Sequence, residues 1–218
     1  MQIEGRVGEV RAAIGAEEAF RQGRYAEMLV SEVMGRYFYN ALNNRIFHSF
    51  VKTVTITATH NTPIAAATAT PVLGLHNPIG GNKAAVVVRI ATHSTSGTPA
   101  GGQFVLNAIQ TTTAPTTPAG NIFNGLLGAG VSPQGSIMRA FNNTALTGML
   151  PVISNEIALM GGVTAIALGV ASAQNGEDLG GLIIVPPGYL LALMAGTGAG
   201  TTWIVNASWS WTEIDWPL

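Results

Sequence analysis

Apolar and polar residues alternate most regularly near the C-terminal end of the chain. Apolar residues occupy every second position, and the residues between them are polar from position 206 onwards. The apolar positions are Trp203, Val205, Ala207, Trp209 and Trp211, and the polar positions are Asn206, Ser208, Ser210 and Thr212. Because successive side chains of a strand point to opposite faces of a sheet, this pattern predicts a strand with one buried face.

Two apolar runs, residues 182–185 and 189–195, precede this strand and are separated by a Pro-Pro-Gly sequence. Proline cannot donate a hydrogen bond to a neighbouring strand, and Gly188 tolerates the backbone angles of a sharp turn. We therefore expect Val185 and Tyr189 to belong to two strands that are joined at a bend.

Further strands are predicted upstream. Residues 52–59 alternate apolar side chains with threonine, and the three valines within residues 83–93 indicate burial on both faces of a sheet. Other strand candidates are residues 71–75, 103–110 and 163–171, with weaker ones at 135–141 and 147–154; loops are expected at 111–120 and 174–178, and a short helical turn within 121–130. About eight strands without helices between them predict a mainly β fold, an antiparallel β-sandwich of the jelly-roll kind.

Charge divides the chain into two unequal parts. Arginines and glutamates occur regularly up to Lys52, whereas residues 53–212 contain few charged side chains. Residues 16–42 are rich in helix formers and contain acid–base pairs four residues apart, which predicts one or two helices. We therefore expect an N-terminal arm with helix over residues 1–50 and a jelly-roll β-sandwich over residues 51–218.

Composition narrows the classes of function. The 218-residue chain has 10% charged residues, against roughly 25% in an average protein. The net charge of −1 and the lack of a basic patch argue against nucleic acid as a partner. The N-terminus lacks the apolar run of a secretory signal, and the apolar windows are shorter than the roughly 20 residues of a membrane helix. We expect a protein that is made in a cytoplasm and has no membrane partner.

Patterns typical of catalysis or metal binding are weak. Cysteine is absent, which excludes thiolate metal sites and a cysteine nucleophile. The four histidines are far apart and have no acid at ligand spacing, so structural roles are favoured. Glu177 and Asp178 fit a polar loop, although a weak calcium site stays open. We expect no enzyme activity, no catalytic residue, no cofactor and no metal.

The tryptophans invite comparison with a carbohydrate-binding platform. Three of them share one strand face with Val205 and Ala207, which favours core packing instead. Trp216 lies beyond the predicted strand and is the tryptophan that we expect to contact another chain.

Four short stretches of the chain resemble jelly-roll virion proteins of tailed bacteriophages. These are Gly23-Arg-Tyr-Ala-Glu-Met-Leu-Val-Ser-Glu-Val-Met-Gly-Arg-Tyr37, Leu75-His-Asn-Pro-Ile-Gly-Gly-Asn-Lys83, Ser96-Gly-Thr-Pro-Ala-Gly101 and Val185-Pro-Pro-Gly-Tyr189. The resemblance implies a structural component of a virus particle that is a homotrimer without enzyme activity. The residues expected to lie at interfaces are Arg24, Tyr25, Arg36, Tyr37 and Trp216.

Three hypotheses of function remain. A charge-poor surface suits a subunit that is covered by neighbours, because no charges have to be desolvated. The first hypothesis is therefore a capsid decoration or cement protein in the virion, whose N-terminal arm binds the major capsid protein or another virion protein. The second is a tail or head fibre whose loop at residues 111–120 contacts a host receptor. The third is a carbohydrate-binding or hydrolytic β-sandwich module.

Overall fold

Strands dominate the part of the chain that the computed structural model describes, which is residue 41 and residues 45–60, 69–97, 102–116, 120–125, 136–163, 174–196 and 203–216. All of these residues belong to one unit, Asn40–Leu218. The strands are β1 (Ile46–Thr55), β2 (Leu73–His76), β3 (Lys83–Gly97), β4 (Gly102–Thr113), β5 (Phe123–Asn124), β6 (Arg139–Asn142), β7 (Leu150–Val163), β8 (Gln174–Val185), β9 (Tyr189–Gly196) and β10 (Trp203–Asp215), and a 3-10 helix spans Ala58–His60.

The strands form two antiparallel five-stranded sheets. The first sheet has the order β5-β1-β10-β3-β8, and the second has the order β6-β2-β9-β4-β7. Four strand pairs, β1 with β10, β2 with β9, β3 with β8 and β4 with β7, alternate between the two sheets. The chain thus forms a ribbon in which β1 to β4 run against β7 to β10. The prediction of a mainly β, antiparallel fold is confirmed, whereas the helix predicted in the N-terminal arm lies outside the described residues.

The main core lies between the sheets and is built from inward-facing side chains of both. Phe104 of β4 contacts Trp203 of β10, with the ring centroids 4.8 Å apart. Trp203, Trp209 and Trp211 are at most 1% exposed. The buried and partly exposed positions of β10 alternate from Trp203 to Trp211. The predicted strand with one buried face, and the core role of its tryptophans, are both confirmed.

Strand β9 of the second sheet is buried on both faces. Leu191 and Leu193 of β9 belong to the main core, whereas Leu190, Ala192 and Met194 belong to a second apolar cluster. This second cluster also contains Ala69, Ile109, Phe141, Leu146 and Met149. Burial on both faces explains why β9 has an apolar side chain at almost every position rather than an alternating pattern.

The bend at Pro186-Pro187-Gly188 connects the two sheets, because β8 belongs to the first and β9 to the second. Gly188 has φ of 80°, a left-handed conformation that glycine adopts without strain. The Asn77 side chain donates hydrogen bonds to the carbonyl oxygens of Lys83, at 2.8 Å, and Val185, at 2.9 Å. The predicted bend is therefore correct, and Asn77 holds its start against the adjacent loop.

Several element predictions differ from the structure. Strand β1 begins at Ile46, so it crosses the domain boundary predicted between residues 50 and 51, and it ends at Thr55. The predicted loop at 174–178 belongs to β8, because its backbone pairs with β3 from His93 to Arg89. Residues 111–113 extend β4, and residues 123–124 form β5, whereas residues 126–130 of the predicted helical turn lie outside the described residues. In these segments pairing with a distant strand decides the element, and local composition does not reveal that partner.

Candidate functional site

The side chains that point away from the core on the first sheet form its outer face. In the middle of this face, Phe50 of β1 pairs with Ser208 of β10, which pairs with Ala91 of β3. In the next row, Asn206 of β10 pairs with His93 of β3. Small side chains at Ser208 and Ala91 lie between the bulkier Phe50 and His93, which leaves a depression in the sheet surface.

A groove of about 340 Å³ occupies this depression and is open to solvent. Its main lining side chains are Phe50, Lys52, Ala91, His93, Asn206 and Ser208. We call this feature the outer-face groove. Its lining combines an aromatic ring, a cation, an amide and a hydroxyl group, and it includes no carboxylate.

A β-bulge shapes one end of the outer-face groove. Val51 pairs with Ala207 and Val54 pairs with Val205, so Lys52 and Thr53 together oppose the single residue Asn206. Thr53 has φ of 56°, which is a rare conformation for a β-branched residue and costs roughly 1–2 kcal/mol. The Thr53 N–H donates to Asn206 Oδ1 at 2.7 Å, and this hydrogen bond holds the bulge in place. Bulges of this kind redirect side chains.

The Phe50 ring forms an aromatic wall of the groove on the β1 side, next to the bulge. The Phe50 ring is 41% exposed and stacks on Phe123 of β5, with centroids 5.1 Å apart and an interplanar angle of 20°. The Lys52 Nζ atom lies 5.5 Å from the centroid of the Phe50 ring. Beside this wall, His48 Nδ1 lies 2.7 Å from Ser210 Oγ, and burial lowers the pKa of His48 below its usual value. The aromatic wall is therefore anchored on both β1 and β5.

A second feature of the outer face is apolar and involves the edge strand β8. Leu182 is 87% exposed, and Ile184, two residues further along the same face of the strand, is close to half exposed. We call these two residues the β8 apolar patch. Between the pairs Arg89–Asp178 and Val87–Ile183, four residues of β8 oppose one residue of β3. This irregularity contains Gly180 and Gly181, both with positive φ, and it places Leu182 directly before the resumed pairing.

The second sheet contains a fully buried histidine. His76 of β2 pairs with Arg139 of β6 and with Leu190 of β9, and neither of its ring nitrogens has a hydrogen-bond partner. Burial, with a smaller contribution from the positive charge of Arg139, lowers the pKa of His76 to about 4. Because the ring is inaccessible to solvent, His76 cannot reach a ligand, and a structural role follows.

Of the residues predicted from the sequence to lie at interfaces, the structure describes Trp216. Arg24, Tyr25, Arg36 and Tyr37 lie outside the described residues. Trp216 is half-buried directly after β10, and its backbone N–H donates to the Asn82 carbonyl oxygen at 2.8 Å. The contact of Trp216 with another chain stays a prediction.

The other residues weighed in the sequence are scattered over the fold. His48 and His93 lie on the first sheet and His60 ends the 3-10 helix, where its Nε2 lies 2.8 Å from Asn143 Oδ1. Glu177 and Asp178 lie on β8, and Asp178 Oδ1 accepts a hydrogen bond from the Gly180 N–H. Within the described ranges, no three histidine or acidic side chains are grouped as a metal site would require.

The outer-face groove was missed in the sequence, and the bulge beside it became visible only from the burial of the β1 side chains. After the buried Ile46 at the start of the strand, Phe47 and Ser49 are buried at odd positions and Val54 is buried at an even position. This change of phase within one strand indicates an inserted residue. It does not reveal that Asn206 and His93, more than a hundred residues apart, lie in one row.

Among the described residues there is no helix of the length and apolarity needed to cross a membrane. Comparisons of the chain with protein-family models, with curated proteins and with solved structures found no match.

Proposed function

We propose that this protein is a non-enzymatic structural protein of a bacteriophage particle, a jelly-roll subunit that decorates and stabilises the capsid as a homotrimer. The order of the eight paired strands supports the jelly-roll assignment, because two sheets of four strands built from one folded ribbon define that topology. Residues 1–45, which precede β1, are proposed as an arm that binds the major capsid protein or another virion protein. The trimeric state and the location in the virion come from the resemblance of short sequence stretches.

The observation that carries the proposal is the β8 apolar patch. Edge strands of soluble β-proteins are usually protected by charged residues, proline or bulges that turn apolar groups away. Here the irregular segment of β8 instead leaves Leu182 87% exposed, near the half-exposed Ile184. Contiguous exposed apolar side chains mark surfaces that contact another protein. We therefore assign the patch to contacts between copies of the chain within the trimer.

The chemistry of the surrounding sheet suits such a contact. Beside the patch, Ile184 pairs with Val86 of β3 and Val86 pairs with Thr212 of β10, so the neighbouring side chains are neutral. Covering neutral side chains avoids the desolvation penalty of buried charges. Burial of a leucine side chain contributes roughly 1.5–3 kcal/mol, and each trimer would bury three copies of Leu182.

Light scattering of the full chain tests the assembly. We expect a molar mass of three times the 22.5 kDa chain for the natural protein and a mass of one chain for Leu182→Glu. Ile157→Glu is the matched control, because Ile157 is 45% exposed on β7 of the other sheet and its variant should remain trimeric. A monomeric natural protein, or a Leu182→Glu variant that stays trimeric, would contradict the assignment of the patch.

Co-sedimentation with empty phage shells that lack this protein tests the virion role. We expect the trimer to pellet with shells in stoichiometric amounts, and a chain lacking residues 1–45 to remain in the supernatant. A full-length trimer that does not bind shells would favour a fibre or receptor-binding protein instead. The deleted segment ends directly before β1, so the circular dichroism spectrum of the shortened chain should retain the strand signal.

A further inference from the structure

We propose that the outer-face groove binds an oligosaccharide that carries a carboxylate group. The site is separate from the β8 apolar patch, because the row of His48, Ser210, Arg89 and Asp178 lies between them. The inference goes beyond the structural role proposed above and does not depend on the trimer.

The size and the shape of the groove fit an extended polar ligand. Its volume of about 340 Å³ falls at the lower end of the range for small-molecule sites, roughly 300–1,000 Å³. The groove is open along the sheet surface rather than enclosed. A chain of linked sugar rings can lie in such a depression while its ends remain in solvent.

The aromatic wall provides the apolar part of the site. A sugar ring has a face of C–H groups that is removed from water when it lies against an aromatic ring. Phe50 is partly exposed, and its stacking on Phe123 fixes the orientation of the ring before a ligand arrives. A wall that is already ordered loses little conformational entropy on binding.

The polar groups of the groove are suited to sugar hydroxyls. The Oδ1 atom of Asn206 already accepts the hydrogen bond from Thr53, so the amide N–H₂ group of Asn206 is left as a donor. The Ser208 hydroxyl can donate and accept, and the His93 imidazole lies in the same row as Asn206. Several convergent polar groups beside an apolar wall are the usual composition of a ligand site.

The charge of the groove selects an acidic ligand. Lys52 is exposed at the rim, and no aspartate or glutamate is among the residues that line the groove. A carboxylate on the ligand would therefore meet a cation without opposing charge. A neutral saccharide would make the same contacts with Phe50 and Asn206 but would lack the ion pair with Lys52.

The bulge gives an independent reason to assign function to this place. Thr53 is held in a strained conformation by the Asn206 side chain, and the resulting two-against-one pairing determines where Lys52 emerges from the sheet. Strained residues and bulges are concentrated beside functional sites. The strained residue here directly adjoins the cation of the groove.

Saturation-transfer NMR of the full chain tests the proposal, with trigalacturonate and 3′-sialyllactose as acidic probes and maltotriose and lactose as neutral ones. We expect signal transfer to at least one acidic probe and at least about threefold weaker binding of its neutral counterpart. The variant Phe50→Ala should weaken binding about tenfold or more, and Lys52→Gln about twofold to fivefold.

Two control variants separate the groove from its surroundings. Arg89→Gln removes a positive charge from the same outer face but outside the groove, so it should bind the acidic probe like the natural protein. Leu182→Glu, which tests assembly, leaves the groove residues unchanged and should also bind. The proposal is overturned if neither acidic probe binds, if neutral probes bind equally well, or if Phe50→Ala and Lys52→Gln bind as strongly as the natural protein.

Discussion

Replacement of His76 by leucine tests how a buried neutral histidine limits the acid stability of the fold. His76 is 0% exposed on β2, and both of its ring nitrogens lack a hydrogen-bond partner. Protonation would place a positive charge in this apolar position next to Arg139, its cross-strand neighbour. Burial and, to a smaller extent, the charge of Arg139 therefore lower the pKa of His76 from 6.5 to about 4.

The size and the sign of the effect follow from proton linkage. Between pH 6.5 and about 4 the unfolded chain binds a proton at His76 that the folded chain does not bind, so the free energy of unfolding decreases as the pH falls. A pKa change of one unit corresponds to about 1.4 kcal/mol, which makes the total loss about 3 kcal/mol. His76 does not lower the free energy of unfolding above pH 6.5, and the full loss is reached at about pH 4.

His76→Leu removes this proton-binding group together with two unpaired polar atoms. We expect the variant to be more stable than the natural protein by about 1–3 kcal/mol at pH 7, because unpaired buried polar groups are removed. The difference should increase by up to about 3 kcal/mol as the pH is lowered to 4. Urea unfolding, followed by the fluorescence of the buried tryptophans at several pH values, measures both quantities.

The control is His93→Gln, which removes a histidine from the outer-face groove and leaves His76 in place. This variant should keep the pH dependence of the natural protein. If His76→Leu instead loses stability in parallel with the natural protein between pH 6.5 and 4, the reasoning about His76 is refuted.

Three further substitutions test local features by urea unfolding. Thr53→Asn should stabilise the fold by about 1 kcal/mol, because asparagine tolerates the φ of 56° and the Thr53 side chain is exposed. A loss of stability would show that the backbone at Thr53 is not strained. Glu213→Gln should cost about 1–3 kcal/mol, since the buried carboxylate accepts a hydrogen bond from Ser136 and lies 3.7 Å from Lys83 Nζ; an unchanged stability would argue against this role. Ser94→Ala should cost about 1–3 kcal/mol, because it removes the buried partner of the Trp203 indole N–H at 3.1 Å.

The tryptophan strand and the Pro-Pro-Gly bend could be predicted because their signals are local. Alternation from Trp203 to Trp211 requires no knowledge of the partner strands, since side chains of any strand alternate between faces. The proline pair and Gly188 likewise restrict the backbone directly. The number of strands without helices between them then predicted an antiparallel fold, and the two antiparallel sheets confirm it.

The predictions failed where a polar segment pairs with a distant strand. Gln174, Asn175 and Glu177 suggested a turn, yet they continue β8 because β3 offers paired backbone groups from His93 to Ile90. The start of β1 was also placed too late, although Ile46 and Phe47 are apolar, because their partners Thr212 and Trp211 of β10 lie far along the chain. Local composition contains no information about these partners.

By itself the sequence determined the class of fold, the buried face of β10 and the shortage of charge, because each depends on side-chain chemistry or on the period of a single strand. The tertiary structure alone decided the strand order, the exposure of Leu182 and the meeting of Phe50, Lys52 and Asn206 in one groove. These features depend on the register between strands far apart in the chain. That register is set by the packing of the whole core and by the bulge at Thr53, and no short stretch of sequence encodes it.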